Sequence, residues 1–173
     1  MRRSFVLVSV LALLLSGSVA GGRLAAVAQE GTPAAEPIVG VTAGLLGAGQ
    51  PDAAPGHELA MRRLVFEPGG SIADHHHPGA LVLYVETGAL TYAVVEGVAE
   101  VQRPGQDGNP GPTEQLRPGE ETVLDAGSSL FEQDVVHSAR NAGDEPTVVW
   151  VSSVIEVGQS FSIFHEETAT PAS

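Results

Sequence analysis

The chain has 173 residues, of which 43% are hydrophobic, so it can build one domain with a real core and is not disordered throughout. It has no cysteine, which removes disulfides, thiolate metal ligands and a cysteine nucleophile together. Its net charge is −13 and all 8 basic residues are arginines; so acidic a surface repels phosphate backbones and anionic head groups, and no nucleic-acid partner is expected.

Residues 1–28 read as a signal peptide. Met1-Arg2-Arg3 is the charged start, and Phe5 to Leu15 is an apolar run too short to anchor stably in a bilayer. Ala26-Val27-Ala28 places small residues where a signal peptidase reads, making Gln29 the new first residue; Ser18-Val19-Ala20 is the competing cut. The expectation is an exported protein, secreted or extracytoplasmic, with no stable membrane span after cleavage. Arg2-Arg3 faintly resembles a twin-arginine signal, so the export route stays open. Loss of this segment takes three arginines with it and leaves a net charge of −16.

Residues 29–37 read as a flexible linker and 166–173 as a disordered tail, so one folded domain is expected over 38–165. Within it, strand signals dominate. Ile38 to Leu46 is an added first strand. Leu59 to Glu67 is closed by Pro68-Gly69-Gly70, and Ser71 to His77 by Pro78-Gly79. Leu81 to Val85, Leu90 to Val95 and Gly97 to Gln102 follow. Arg103 to Pro118 is dense in Gly, Pro and Asn and is expected to be a mobile surface loop. Strands resume at Glu121 to Leu124, Ser128 to Gln133, Val135 to Arg140 and Thr147 to Val157, with Ser160 to Phe164 last. No segment shows a helical period. Short strands at this spacing predict an all-β sandwich or barrel.

The chemistry concentrates in Asp74-His75-His76-His77-Pro78-Gly79. His75 and His77 are two apart, so on a strand they leave from one face while His76 leaves from the other. Two imidazoles on one face can share a metal ion, and His137 could supply a third from a distant strand.

These residues and the turns around them resemble the cupin superfamily, over about residues 59–157. The first cupin motif runs G-x5-H-x-H-x3/4-E-x6-G, and Gly69, His75, His77 and Gly88 stand at those spacings. The second runs G-x5-P-x-G-x2-H-x3-N; His137 and Asn141 match its end, and Gly127 lies one residue closer to the histidine than the pattern asks. The resemblance implies a cupin-type jelly-roll β-barrel with a metal near its middle, held by His75, His77 and His137. It also implies a homodimer. Two positions depart from the pattern. The first-motif Glu position is Leu81, and the second-motif Pro and Gly positions are Glu132 and Asp134, so that turn is expected to be built differently.

Three neutral imidazoles leave a divalent ion its full charge. That favours Fe, Zn, Ni or Cu over hard Mn²⁺, and an anionic or oxygen-rich small molecule in the open positions. The leading reading is metal-dependent, dioxygenase-like chemistry on such a molecule. The alternatives are a non-catalytic extracytoplasmic module binding a metal or small ligand, and a degenerate cupin with no metal. Glu132 and Gln133 are expected in a solvated turn; the alternative is that one reaches the pocket as a fourth ligand or an acid/base. His57, His165 and Glu86 are expected at the surface, and Tyr84 and Trp150 in the core or on a barrel face. No Gly-x-Ser-x-Gly elbow and no phosphate-binding loop are present.

Overall fold

A computed structural model of the protein describes residues 36–106 and 109–165. The expected signal peptide, the linker up to residue 35 and the tail 166–173 lie outside the described residues.

Among the described residues eleven strands follow one another in chain order: β1 (Ile38–Gly49), β2 (His57–His76), β3 (Gly79–Thr87), β4 (Ala89–Glu96), β5 (Ala99–Pro104), β6 (Pro110–Leu116), β7 (Glu121–Asp125), β8 (Ser129–Gln133), β9 (Val136–Arg140), β10 (Thr147–Glu156) and β11 (Ile163–Phe164). They pair antiparallel in the order β6-β5-β8-β3-β10-β2-β9-β4-β7, with β1 and β11 added on β2. The sheet curls into a nearly closed barrel, and the fold is the all-β jelly roll expected from the sequence. Alternation sets the core. Leu81, Leu83 and Val85 of β3, Leu90, Tyr92 and Val94 of β4, and Val149 and Val151 of β10 all turn inward. No helix among the described residues is long and apolar enough to cross a membrane.

Two features differ from the sequence expectation. Pro68-Gly69-Gly70 does not end a strand; β2 runs on through it for 20 residues. Gly69 takes φ +77°, which bends the strand without breaking it. On one edge, β2 pairs first with β10 through residues 57–66 and then with β9 from Ser71 onward. It therefore carries the chain from one wall of the barrel to the other.

Arg103 to Pro118 is not a loop throughout, because β5 and β6 form a hairpin across it. Pro110 and Pro112 are tolerated since β6 ends the strand order, where a missing N–H leaves no ladder partner unsatisfied. Leu116 is buried, and Arg103 ties the hairpin down. Its guanidinium pairs with Glu114 and donates to the Val123 carbonyl at 2.6 Å and to Thr122 Oγ1 at 2.6 Å.

The turn after the histidines is also fixed by close approach. A Cβ on Gly79 would lie 2.0 Å from the Val154 carbonyl oxygen of β10. Gly79→Ala is expected to destabilise the fold by about 2–3 kcal/mol through overpacking, measured by chemical denaturation. A change below about 0.5 kcal/mol would show that β3 and β10 do not meet this tightly there.

Candidate metal centre

The three candidate ligands arrive from two strands and the residue after one of them. His75 is near the end of β2, His77 follows β2 directly, and His137 lies on β9. His75 and His137 are cross-strand partners, which sets their rings 4.2 Å apart. The inward residues of β2 are Leu64, Phe66 and Ile72, all at even positions, yet His75 and His77 also face in. A register shift between Ile72 and His75 makes the difference. One extra residue in the strand reverses its parity and re-aims both histidines into the barrel. His76 turns the other way, where its Nδ1 lies 2.8 Å from Nε2 of the exposed His165.

His75, His77 and His137 are 2%, 7% and 5% exposed. Their candidate ligand atoms all lie within 4.8 Å of one another. His75 Nδ1 stands 2.8 Å from the Ala73 carbonyl and His77 Nδ1 stands 2.5 Å from the Phe161 carbonyl. A carbonyl only accepts, so each Nδ1 carries the proton and each Nε2 keeps a bare lone pair. Nδ1 of His137 is buried and makes no well-aligned hydrogen bond among the described residues, with Glu132 Oε2 3.3 Å away. Such an orphaned acceptor or donor is costly in an apolar interior, and a metal ion is one way to satisfy the cluster. Burial lowers the pKa of all three rings, that of His77 to about 4, so they are neutral at pH 7 as metal ligands must be.

The sequence reading misplaced Glu132. Rather than lying in a solvated turn, it is on β8, 3% exposed, and inside the barrel beside the histidines. Its Oε1 is 3.5 Å from His77 Nε2, and its Oε2 is 3.3 Å from His137 Nδ1. Tyr92 of β4, unremarked in the sequence, donates its hydroxyl to Oε2 and stacks on His137 with ring centres 4.6 Å apart. The signal was legible as parity, because Leu130 and Glu132 share one face of a strand whose other face is exposed. Asp134, at the second-motif Gly position, takes φ +56°, the left-handed conformation a glycine would adopt without strain. Gln133, by contrast, is exposed.

The remaining candidates lie apart from the cluster. Glu86 is exposed and accepts the Trp150 indole N–H at 2.7 Å, Tyr84 is exposed on the outer barrel face, and His57 is half-buried beside Pro55. The histidines and Glu132 line a cavity of about 40 Å³. That is room for about three or four waters. Leu64, Phe66, Leu83 and Val151 make its walls apolar.

A nearly closed jelly-roll barrel with three convergent imidazoles inside is the architecture that the cupin resemblance implied, and it carries a candidate metal centre. No protein-family model matches the chain, and no curated protein matches it. Among solved structures it is similar to the polyketide cyclase RemF from Streptomyces resistomycificus, at 21% identity over 76% of each chain with a TM-score of 0.41. It is similar also to a cupin 2 domain-containing protein from Halorhodospira halophila, at 16% identity over 74% of this chain and 72% of that one, TM-score 0.44. A third is a cupin-2 domain protein from Rhodospirillum rubrum, at 17% identity over 76% of this chain and 70% of that one, TM-score 0.42.

In the metal-free protein these burials set opposing pH dependences. Burial raises the Glu132 carboxyl from 4.5 to about 8, so between those values the folded state holds a proton that the unfolded state releases. Stability falls as pH rises through that window. His77 works in reverse. Below 6.5 the unfolded state takes up a proton that the folded state refuses until about pH 4, so stability falls as pH drops. In chelator-treated protein, Glu132→Gln is expected to gain on the parent as pH rises from about 5 to about 8, by at most about 1.4 kcal/mol per pH unit. Denaturation midpoints of the two proteins across that range measure it. A gap independent of pH would show that Glu132 is not desolvated.

Proposed function

We propose that this chain is an exported, metal-binding jelly-roll protein whose three-histidine centre performs dioxygenase-like chemistry on a small anionic or oxygen-rich molecule. The observation that carries the reading is the convergence of three buried neutral imidazoles, two of them with the Nδ1 proton committed to backbone carbonyls. That donor set suits a borderline divalent ion: Fe, Zn, Ni or Cu. Bound there, the ion would supply Lewis-acid or redox chemistry in the cavity.

The chain's own residues do the rest. The apolar walls exclude water, and the small space admits only a small ligand. Glu132 lines that cavity and can hold or move a proton there, with its Oε2 held by the Tyr92 hydroxyl. A buried carboxyl there favours an enzyme over a passive binding module, because a binding module has no need of a proton-holding group beside its ligands. Burial, then Glu132, push the Tyr92 hydroxyl well above its ordinary pKa, so it stays a donor.

Export follows from the N-terminal sequence pattern. Self-association would use the outer barrel face, where Leu59, Met61, Val82, Tyr84 and Phe131 are exposed on neighbouring strands. The exported chain is expected to begin at Gln29 by N-terminal sequencing and to sediment at twice its mass. A retained Phe5 to Leu15, or a monomer at micromolar concentration, would overturn the respective expectation.

Metal content of protein purified from its native compartment tests the centre directly; a chain free of metal would favour the degenerate reading. In titration calorimetry, His75→Ala, His77→Ala and His137→Ala are each expected to weaken metal binding by more than about 100-fold, above the range for losing a merely supporting residue. His76→Ala should bind like the parent. Equal losses for His76→Ala and His77→Ala would break the assignment.

A further inference from the structure

Glu132 carries an unexplained burden. A carboxylate this deep in an apolar barrel is costly unless a cation or several donors compensate it. Among the described residues neither arginine nor lysine reaches it. Tyr92 alone donates a hydrogen bond, and only to Oε2.

Oε1 faces His77 Nε2 at 3.5 Å. The ring proton of His77 is already given to the Phe161 carbonyl, so the facing nitrogen offers a lone pair. Two such lone pairs can face each other only with a proton or a metal ion between them, and a divalent ion bound to the neighbouring imidazoles would displace the proton. Two donors bound to one ion at about 2.0–2.2 Å sit roughly 3.0–3.5 Å apart. The separations here, 3.5 Å to His77 and 3.3 Å to His137, match that spacing.

The strand register explains how the carboxylate arrives. Leu81 and Glu132 are directly paired across the β3–β8 ladder, and both side chains turn inward. A carboxylate at either position projects into the same part of the barrel. Leu81 leaves its wall apolar, and Glu132 fills the polar role from the opposite strand.

We propose that Glu132 is the fourth, anionic donor of the metal centre, delivered across the ladder from the position facing Leu81 and oriented by Tyr92. This rests on the three-histidine reading above and changes its chemistry. Three imidazoles alone disfavour hard ions, whereas an added carboxylate lowers the net charge of the centre and admits Mn²⁺. Tyr92 is a positioning residue. Its ring lies on His137 and its hydroxyl holds Oε2, so one side chain orients two donors.

The test is titration of the full chain with Mn²⁺ and with Zn²⁺, together with the visible spectrum of the Co²⁺-loaded protein. Glu132→Gln keeps the shape and the hydrogen bond from Tyr92 but removes the anionic donor. It is expected to lose at least about 100-fold in Mn²⁺ affinity, less for Zn²⁺, and to shift the Co²⁺ bands. Tyr92→Phe should lose about 10-fold for both ions, as a lost supporting contact does. The double variant Leu81→Glu with Glu132→Gln moves the carboxylate back across the ladder and should regain Mn²⁺ binding. Unchanged Mn²⁺ affinity and an unchanged Co²⁺ spectrum in Glu132→Gln would overturn the proposal and leave the three-histidine centre standing. Failure of the parent itself to bind Zn²⁺ or Co²⁺ would overturn both.

Discussion

The pairing of β2 with β9 at His75 and His137 holds the centre together. Antiparallel partners place their side chains side by side on one face, so two imidazoles meet at a distance set by backbone hydrogen bonds. The bulge just before His75 decides which face that is. Without the extra residue, the inward parity of Ile72 would continue through even positions and turn His76, not its neighbours, into the barrel. The same bulge frees the Ala73 carbonyl to take the His75 proton, so one local irregularity both aims the ring and fixes its tautomer.

The end of the described chain completes what β2 begins. β11 pairs with His75 and His76, and just before it the Phe161 carbonyl takes the His77 proton. The Phe161 ring packs 4.4 Å from the His77 ring, and the Arg62 guanidinium lies 4.2 Å above the centre of that phenyl ring. Phe164 packs 5.5 Å from His75. The cavity is thus lined by Phe161 together with inward-facing side chains of the β-strands. What remains is a small space lined mostly by apolar side chains, where electrostatic interactions are stronger than in bulk water.

Inside that space the four titratable groups divide by function. The three imidazoles are held neutral, and those of His75 and His77 present Nε2 lone pairs. The carboxylate is held by a tyrosine whose hydroxyl stays protonated. Burying such a set in a barrel of Leu and Val is unfavourable by itself, and packing alone gives no reason for it. The outward face of the same strands carries exposed apolar side chains, among them Leu59, Met61, Val82, Tyr84 and Phe131. The buried polar cluster and the outer face are separated by nothing more than alternation.

Alternation was also the part that the sequence determined. Val, Leu and Ile runs cut by Gly and Pro specified the strands, and their spacing specified an all-β barrel. The two-residue step from His75 to His77 specified that these rings share a face and that His76 does not. The β5–β6 hairpin was hidden because its prolines and glycines mimic a loop, and only the edge position of β6 and the contacts of Arg103 make it a strand. Glu132 was hidden for another reason. Its charge argued for solvent, its parity with Leu130 argued for the interior, and nothing local could weigh one against the other. The tertiary structure decided it by laying β8 beside β3 in a register that sets Glu132 opposite Leu81 and within reach of Tyr92, His77 and His137. Likewise the bulge that turns the histidines inward depends on which strand β2 pairs with after Gly70, a long-range choice that no local pattern encodes.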